Sequence, residues 1–138
     1  MTETSKTELI ATLNGRRPAI IRTLGGMITD LDEGECLMDY DIGEELCHST
    51  NIVQGGIITA MLDATMSHAV FATQLDVTGL ASLEIKVSFL EPSLAGKFTC
   101  RGFIRRAGYK ISFLEGELYN ADGVLTATAS HTAKLTRG

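Results

Sequence analysis

The chain has 138 residues, 44% of them hydrophobic and 21% charged, with a formal net charge of −5. That length suits one core, so residues 1–138 are expected to form a single domain, with 1–20 as N-terminal helix and connector. The acidic balance argues against general nucleic-acid binding, because neutralising phosphates needs a basic face, and no apolar run approaches the ~18 residues of a membrane span.

The first residues contain no apolar signal core, and Cys36, Cys47 and Cys100 show no CxxC spacing. Both features imply a soluble, cytoplasmic protein with reduced thiols. Thr4 to Asn14 reads as a short amphipathic helix: Leu9, Ile10 and Leu13 share a face, Thr4 or Ser5 can cap its start, and Gly15 follows its end. Arg16 to Leu24 reads as a connector containing Pro18. Two strands are expected at Gly26–Leu31 and Glu35–Ile42, separated by the turn residues Asp32-Glu33-Gly34. In the second, Cys36, Met38, Tyr40 and Ile42 alternate with Asp39 and Asp41, as a half-buried strand requires.

Glu44 to Val53 reads as loop, and Ile57 to Phe71 as a helix apolar nearly all round. From Leu80 the period changes to two: Leu83, Ile85, Val87 and Phe89 alternate with Glu84, Lys86 and Ser88, and the strand stops before Glu91-Pro92. Lys97–Arg106, Tyr109–Tyr119 and Val124–Leu135 read as further strands, with turns at Ala107-Gly108 and Asn120-Ala121-Asp122-Gly123. An antiparallel sheet of about six strands must cover one apolar face, and the long helix is the element apolar enough to do so. The expected architecture is therefore α+β, a sheet wrapped round one central helix. Its remaining face and edges are left for a second copy.

The apolar helix carries one carboxylate. Thr59, Asp63 and Ser67 are spaced i, i+4, i+8 and so lie along one side. A buried, unpaired carboxylate costs several kcal/mol, so Asp63 must find hydrogen bonds or face a cleft. Spacing alone leaves a structural and a catalytic Asp63 equally open. Ahead of the helix, Gln54-Gly55-Gly56 permits close approach to backbone N–H groups that lack an intrahelical acceptor, where the helix dipole also favours negative charge. That suits polarising a carbonyl or holding an oxyanion; a tight turn is the plainer alternative. His48 is a third candidate, while His68 and His131 read as structural. No His, Cys, Asp or Glu set has metal-ligand spacing, and neither a phosphate loop nor a nucleophile elbow is present.

These stretches resemble the hotdog-fold thioesterases, in particular the PaaI-like branch related to phenylacetate degradation. The resemblance spans roughly residues 20 to 136 and rests on "NIVQGGIITAMLDATMSHA", on the strand ending in "FLEP" with the Gly-separated strands after it, and on the preceding strand pair. The most specific feature is an acid eight residues after the first Gly of the Gly-Gly turn. The resemblance implies a hotdog fold and hydrolysis of an acyl- or aryl-CoA thioester without metal or redox cofactor. It also implies a homodimer or homotetramer with sites at the dimer interface. By position, Asp63 matches the catalytic base or nucleophile and Gly55 the residue whose N–H polarises the thioester carbonyl. Ser67 matches a hydroxyl that helps position water, and Ser82 a polar position near the site in some relatives.

Gln54 stands where many relatives have His, and His48 where many have Asn or Gln. His48 is therefore kept with the catalytic candidates, and Gln54 and Gly56 with the substrate-binding ones. Arg105, Arg106 and Lys110 on one hairpin, with Arg101 and Lys86, are available for the CoA phosphates or form a solvated charged surface. Leu80, Leu83, Met61, Met66 and Phe71 can line an acyl pocket or simply belong to the core. Two other functions remain open: a hotdog dehydratase acting on 3-hydroxyacyl thioesters, which His48 with Asp63 would suit, and a non-catalytic acyl-CoA-binding protein. The "HFPG" surroundings usual in the dehydratases are missing.

Overall fold

A computed structural model describes residues 2–138. Helix α1 (Glu3–Gly15) packs Leu9, Ile10 and Leu13 against the core. Its cap is Thr2, not Thr4 or Ser5: the Thr2 hydroxyl accepts from the Ser5 N–H at 3.0 Å. The stretch expected as a plain connector contains a five-residue helix, α2 (Ala19–Thr23), which starts directly after Pro18 and buries Ile21. Strand β1 (Met27–Asp32) lies one residue beyond the expected Gly26–Leu31, with its register shifted between Ile28 and Asp30, and β2 (Glu35–Ile42) follows as its alternation predicts.

The segment read as loop is partly ordered into a 3₁₀ turn at Glu44–Leu46 and a small hairpin of β3 (Cys47–His48) and β4 (Ile52–Val53). The hairpin turn holds Ser49 at φ 49° and Thr50 at φ 75°, left-handed values that are costly for a β-branched residue. The long helix α3 runs from Gly55 to Thr73, two residues beyond the expected range at each end. Strands β5 (Val77–Phe89), β6 (Gly96–Arg106), β7 (Ile111–Asn120) and β8 (Leu125–Arg137) complete the chain.

Six strands form one antiparallel sheet in the order β1-β2-β6-β7-β8-β5, with α3 lying across its inner face. Period-two alternation turns Met38, Tyr40, Cys100, Leu114 and Leu118 inward against Met61, Leu62, Met66 and Val70 of the helix. Contact is closest at Gly102, where a Cβ atom would meet the Thr65 carbonyl oxygen at 2.6 Å. Tyr40 secures the same turn of helix, its hydroxyl reaching the Met61 carbonyl at 3.2 Å and Thr65 Oγ1 at 3.0 Å. Among the described residues, no helix is long and apolar enough to cross a membrane.

The two edges of the sheet are treated differently. Beside β1, the Asn14 side chain mimics a neighbouring strand, donating to the Ile28 carbonyl at 3.0 Å and accepting the Ile28 N–H at 2.8 Å. The other edge, β5, is 13 residues long and has no neighbour on its outer side. Along it Leu83 and Phe89 are 58% and 56% exposed.

Because Gly102 faces helix backbone rather than a movable side chain, Gly102→Ala should destabilise the fold by about 1–3 kcal/mol through overpacking. Urea denaturation checks this, and an unchanged midpoint would mean that α3 does not sit this close.

Candidate active site

Seating α3 on the sheet buries Ile58, Met61, Leu62, Thr65, Met66, Ala69 and Val70 and leaves the opposite stripe uncovered by the chain itself. Gly56, Thr59, Ala60, Asp63, Ala64 and Ser67 lie on that stripe. The acid that looked buried in sequence therefore keeps 46% of its side chain exposed. It is the one charged side chain on a helix face otherwise made of glycine, alanine and two hydroxyl residues, beside the open β5 edge.

At the helix start, Gln54 has a role that its residue type does not advertise. Its backbone is extended, and its side-chain Oε1 accepts the N–H groups of Gly56 at 2.7 Å and Ile57 at 3.2 Å. Gln54 is thus the N-cap, satisfying two of the donors that a helix start leaves over. The Gly55 N–H makes no hydrogen bond among the described residues. A cavity of about 390 Å³ opens beside Gly55, with Val53, Ile58, Phe89 and Leu90 as its apolar lining and His48 among its polar groups. The exposed His48 ring has Nδ1 3.1 Å from Ser49 Oγ. A Cβ at Gly55 would lie 3.3 Å from the Phe89 ring, so the glycine keeps this corner open. A larger cleft of about 560 Å³ lies beside Asp39, Lys97 and Tyr119, away from both the free amide and Asp63.

Around Asp63 the structure gathers residues from three elements. Ser67, one turn on, directs its hydroxyl to Asp63 Oδ1 at 3.4 Å. His131 from β8 places Nδ1 3.8 Å from the same oxygen. Its Nε2 lies 2.7 Å from Ser82 Oγ on β5. His131 is 2% exposed, and its Nδ1 is buried without a hydrogen-bond partner. Burial pushes its pKa below the usual 6.5, with the Asp63 charge opposing, so the ring is neutral near pH 7. Thr59 is otherwise engaged, donating to the Gly55 carbonyl at 2.9 Å.

The structure thus brings Asp63, Ser67 and Ser82 together and adds His131, which sequence reasoning left as structural. A sequence signal for it existed: His131 falls in the inward row with Ala127, Ala129, Ala133 and Leu135, where a polar side chain must find a partner. Gly55, Gln54, Gly56 and His48 form a separate group at the other end of the exposed helix face. Eight residues at 1.5 Å each separate Gly55 from Asp63 by about 12 Å along the axis.

The hairpin cations divide into two kinds. Arg105 forms an ion pair with Glu115, and Arg101 is held by Glu35 at 2.6 Å and Glu117 at 2.9 Å while stacking on Phe103. Arg106 and Lys110 make no ion pair among the described residues. Their hairpin is tied down by Arg137, which donates to the carbonyls of Tyr109 at 2.9 Å and Gly108 at 3.4 Å and pairs with Asp76. Among the described residues, no three His, Cys, Asp or Glu side chains are grouped as metal ligands.

Comparison with known proteins adds an independent line. Residues 50–127 match the family described as the thioesterase superfamily. The structure of the phenylacetic acid degradation-related protein of Ralstonia eutropha JMP134 aligns with a TM-score of 0.83 and 34% identity, covering 93% of this chain and 98% of that one. A Saccharolobus solfataricus protein that carries an esterase name is 31% identical over 110 residues, 80% of this chain and 78% of its own. The medium/long-chain acyl-CoA thioesterase YigI of Salmonella typhimurium is 24% identical over 95 residues, 59% of this chain and 61% of its own. The matched stretch includes Gly55, Asp63, Ser67 and Ser82 and ends before His131.

The buried histidines make stability depend on pH. Burial lowers the pKa of both His131 and His68 in the folded chain. Below about 6.5 the unfolded chain therefore binds more protons, and stability falls as pH drops toward the depressed folded values. Urea denaturation should show a lower midpoint at pH 5.5 than at pH 7.5; an equal or higher midpoint would contradict burial of neutral imidazoles.

Proposed function

The chain belongs to the thioesterase superfamily, and on that premise we propose that it hydrolyses acyl-CoA thioesters to the free acid and CoA at sites shared between two copies. The observation that carries this reading is the pairing of an unbonded helix-start amide at Gly55 with a half-exposed acid at Asp63 on one bare face of α3. The first polarises a carbonyl; the second activates water or attacks directly.

Their separation decides the assembly. An oxyanion donor and a general base must each come within about 3 Å of the atoms they serve on one thioester. Gly55 and Asp63 of the same copy, about 12 Å apart, cannot do so together. Two α3 helices running antiparallel, with Gly55 of one opposite Asp63 of the other, bring both groups to one carbonyl twice over. The two-fold axis then passes near Thr59 and Ala60, midway between them, where side chains are small. The open β5 edge, which exposes Leu83 and Phe89 and lacks the strand-mimicking side chain that Asn14 gives β1, supports the same pairing. A homodimer is thus the smallest complete enzyme in this reading.

Within such a site, water adds to the thioester carbonyl as Asp63 removes its proton, and the Gly55 N–H of the other copy holds the developing oxyanion. Collapse breaks the C–S bond, and the CoA thiolate leaves and takes up a proton. Direct attack by Asp63 through a mixed anhydride would use the same geometry. The cavity beside Gly55 receives the acyl group, with His48 at its polar side. Arg106 and Lys110, the unpaired cations of their hairpin, meet the CoA phosphates.

CoA release followed with a thiol reagent, across a panel of acyl- and aryl-CoAs, tests this. Asp63→Asn should lower kcat by about 10²–10⁴-fold with little change in KM. Tight binding without release would favour an acyl-CoA-binding protein. Hydration of crotonyl-CoA without thiol release would favour the dehydratase. An Asp63→Asn variant as active as the parent would overturn the catalytic assignment.

A further inference from the structure

The hydrogen-bonding groups around Asp63 are directed at only one of its oxygens. The Ser67 hydroxyl is 3.4 Å from Oδ1, and the His131 Nδ1 is 3.8 Å from that same Oδ1. Oδ2 accepts no hydrogen bond among the described residues. The His131 Nδ1 is buried and otherwise unpartnered, a state that is costly unless a partner becomes available. The Asp63 carboxylate, 3.8 Å away, is an acceptor within reach of a small shift.

The tautomer follows from this arrangement. Burial keeps the ring neutral, so one nitrogen donates and the other accepts. A bare lone pair at Nδ1 would face the Asp63 carboxylate and be repelled, whereas N–H there is attracted. With the proton on Nδ1, Nε2 is the acceptor, and the Ser82 hydroxyl, 2.7 Å away, is its donor. Ile85 and Leu114 are the register partners of His131 on the flanking strands, so those strands set no charge directly opposite the ring.

Building on the reading of Asp63 as the acid of a thioester hydrolase, we propose that His131 is a positioning residue: with its Nδ1 proton favoured by the Asp63 charge and its Nε2 satisfied by the Ser82 hydroxyl, it joins Ser67 in holding Asp63 Oδ1, so that Oδ2 alone reaches the water or the thioester. The bond changes remain those of hydrolysis, with the water proton passing to Oδ2 and none passing through the ring. In the proposed dimer, a second copy covering the groove would exclude solvent from Asp63 and favour closing the 3.8 Å approach to a hydrogen bond. The physical parallel is the outer hydrogen bond at metal sites, where a partner on one ring nitrogen fixes the tautomer and orientation of the imidazole.

Steady-state kinetics of His131→Leu, His131→Asn, Ser82→Ala and the double variant His131→Asn/Ser82→Ala tests it, together with the melting temperature of each. An Asn side chain places an N–H near the position of Nδ1, whereas Leu provides none. His131→Leu should lose on the order of ten- to a hundredfold in kcat with KM little changed, and His131→Asn should recover most of that loss. Ser82→Ala should lower kcat several-fold in the parent by removing the donor to Nε2 but add nothing to His131→Asn, which has no Nε2 for Ser82 to serve. Should His131→Leu fail to fold, the exposed Ser82 position and the non-additivity still decide. Equal losses in the Asn and Leu variants, additive losses for Ser82→Ala, or losses confined to KM would overturn the inference while leaving the hydrolase reading intact. Absence of CoA release by the parent protein would overturn the hydrolase reading first, and this inference with it.

Discussion

The close seating of α3 on β6, where a methyl group at Gly102 would come within 2.6 Å of the Thr65 carbonyl oxygen, sets the geometry from which the site follows. The sheet covers one side of the helix and leaves the other uncovered by the chain itself. The side turned inward is apolar from Ile58 to Val70 except for Thr65 and His68, whose polar atoms bond to helix carbonyls one turn back. The side left bare is free to carry an acid without the cost of burying it. Asp63 lies there, half exposed, beside the one inward-facing imidazole of β8. Its unusual place in an apolar helix thus has a physical explanation before any catalysis is invoked.

A second constraint is the helical rise. Eight residues fix Gly55 and Asp63 about 12 Å apart on one rigid element. No side-chain rotation closes such a gap, so an enzyme that needs both groups at one carbonyl must obtain one of them from elsewhere. The contrast between the sheet edges points the same way. Asn14 closes β1 with a two-way hydrogen bond, and β5 remains open with Leu83 and Phe89 exposed. Arginine has a supporting part at the periphery. Arg137 secures the hairpin that presents Arg106 and Lys110, whereas the charges of Arg101 and Arg105 are spent on carboxylates of neighbouring strands.

Much of this was legible in the sequence because it is periodic. Alternation in Glu35–Ile42 predicts β2 to the residue, and the Gly-containing turns predict both long hairpins. The offset from Gly55 to Asp63 marks the two positions on which the proposed function rests. What escaped was either too short to have a period or fixed by distant contacts. Helix α2 has five residues, barely one turn. The α1 cap falls on Thr2, one of three nearby hydroxyls between which residue type alone does not choose. Gln54 was overlooked as a cap because Ser, Thr, Asp and Asn dominate that position. His131 and Asp63 are brought together by the sheet from far apart in the chain, a contact that no local pattern encodes.

The central claim, that Gly55 and Asp63 act together only across two copies, can be tested by mixing defective chains. Gly55→Pro removes the N–H at a helix position that tolerates proline, and Asp63→Asn removes the base. Each variant alone should be inactive. Random co-assembly of equal amounts makes half of the pairs mixed, each with one intact site of two, so about a quarter of parental activity should return. No recovery in mixed pairs whose formation is verified by native mass spectrometry would contradict the shared site.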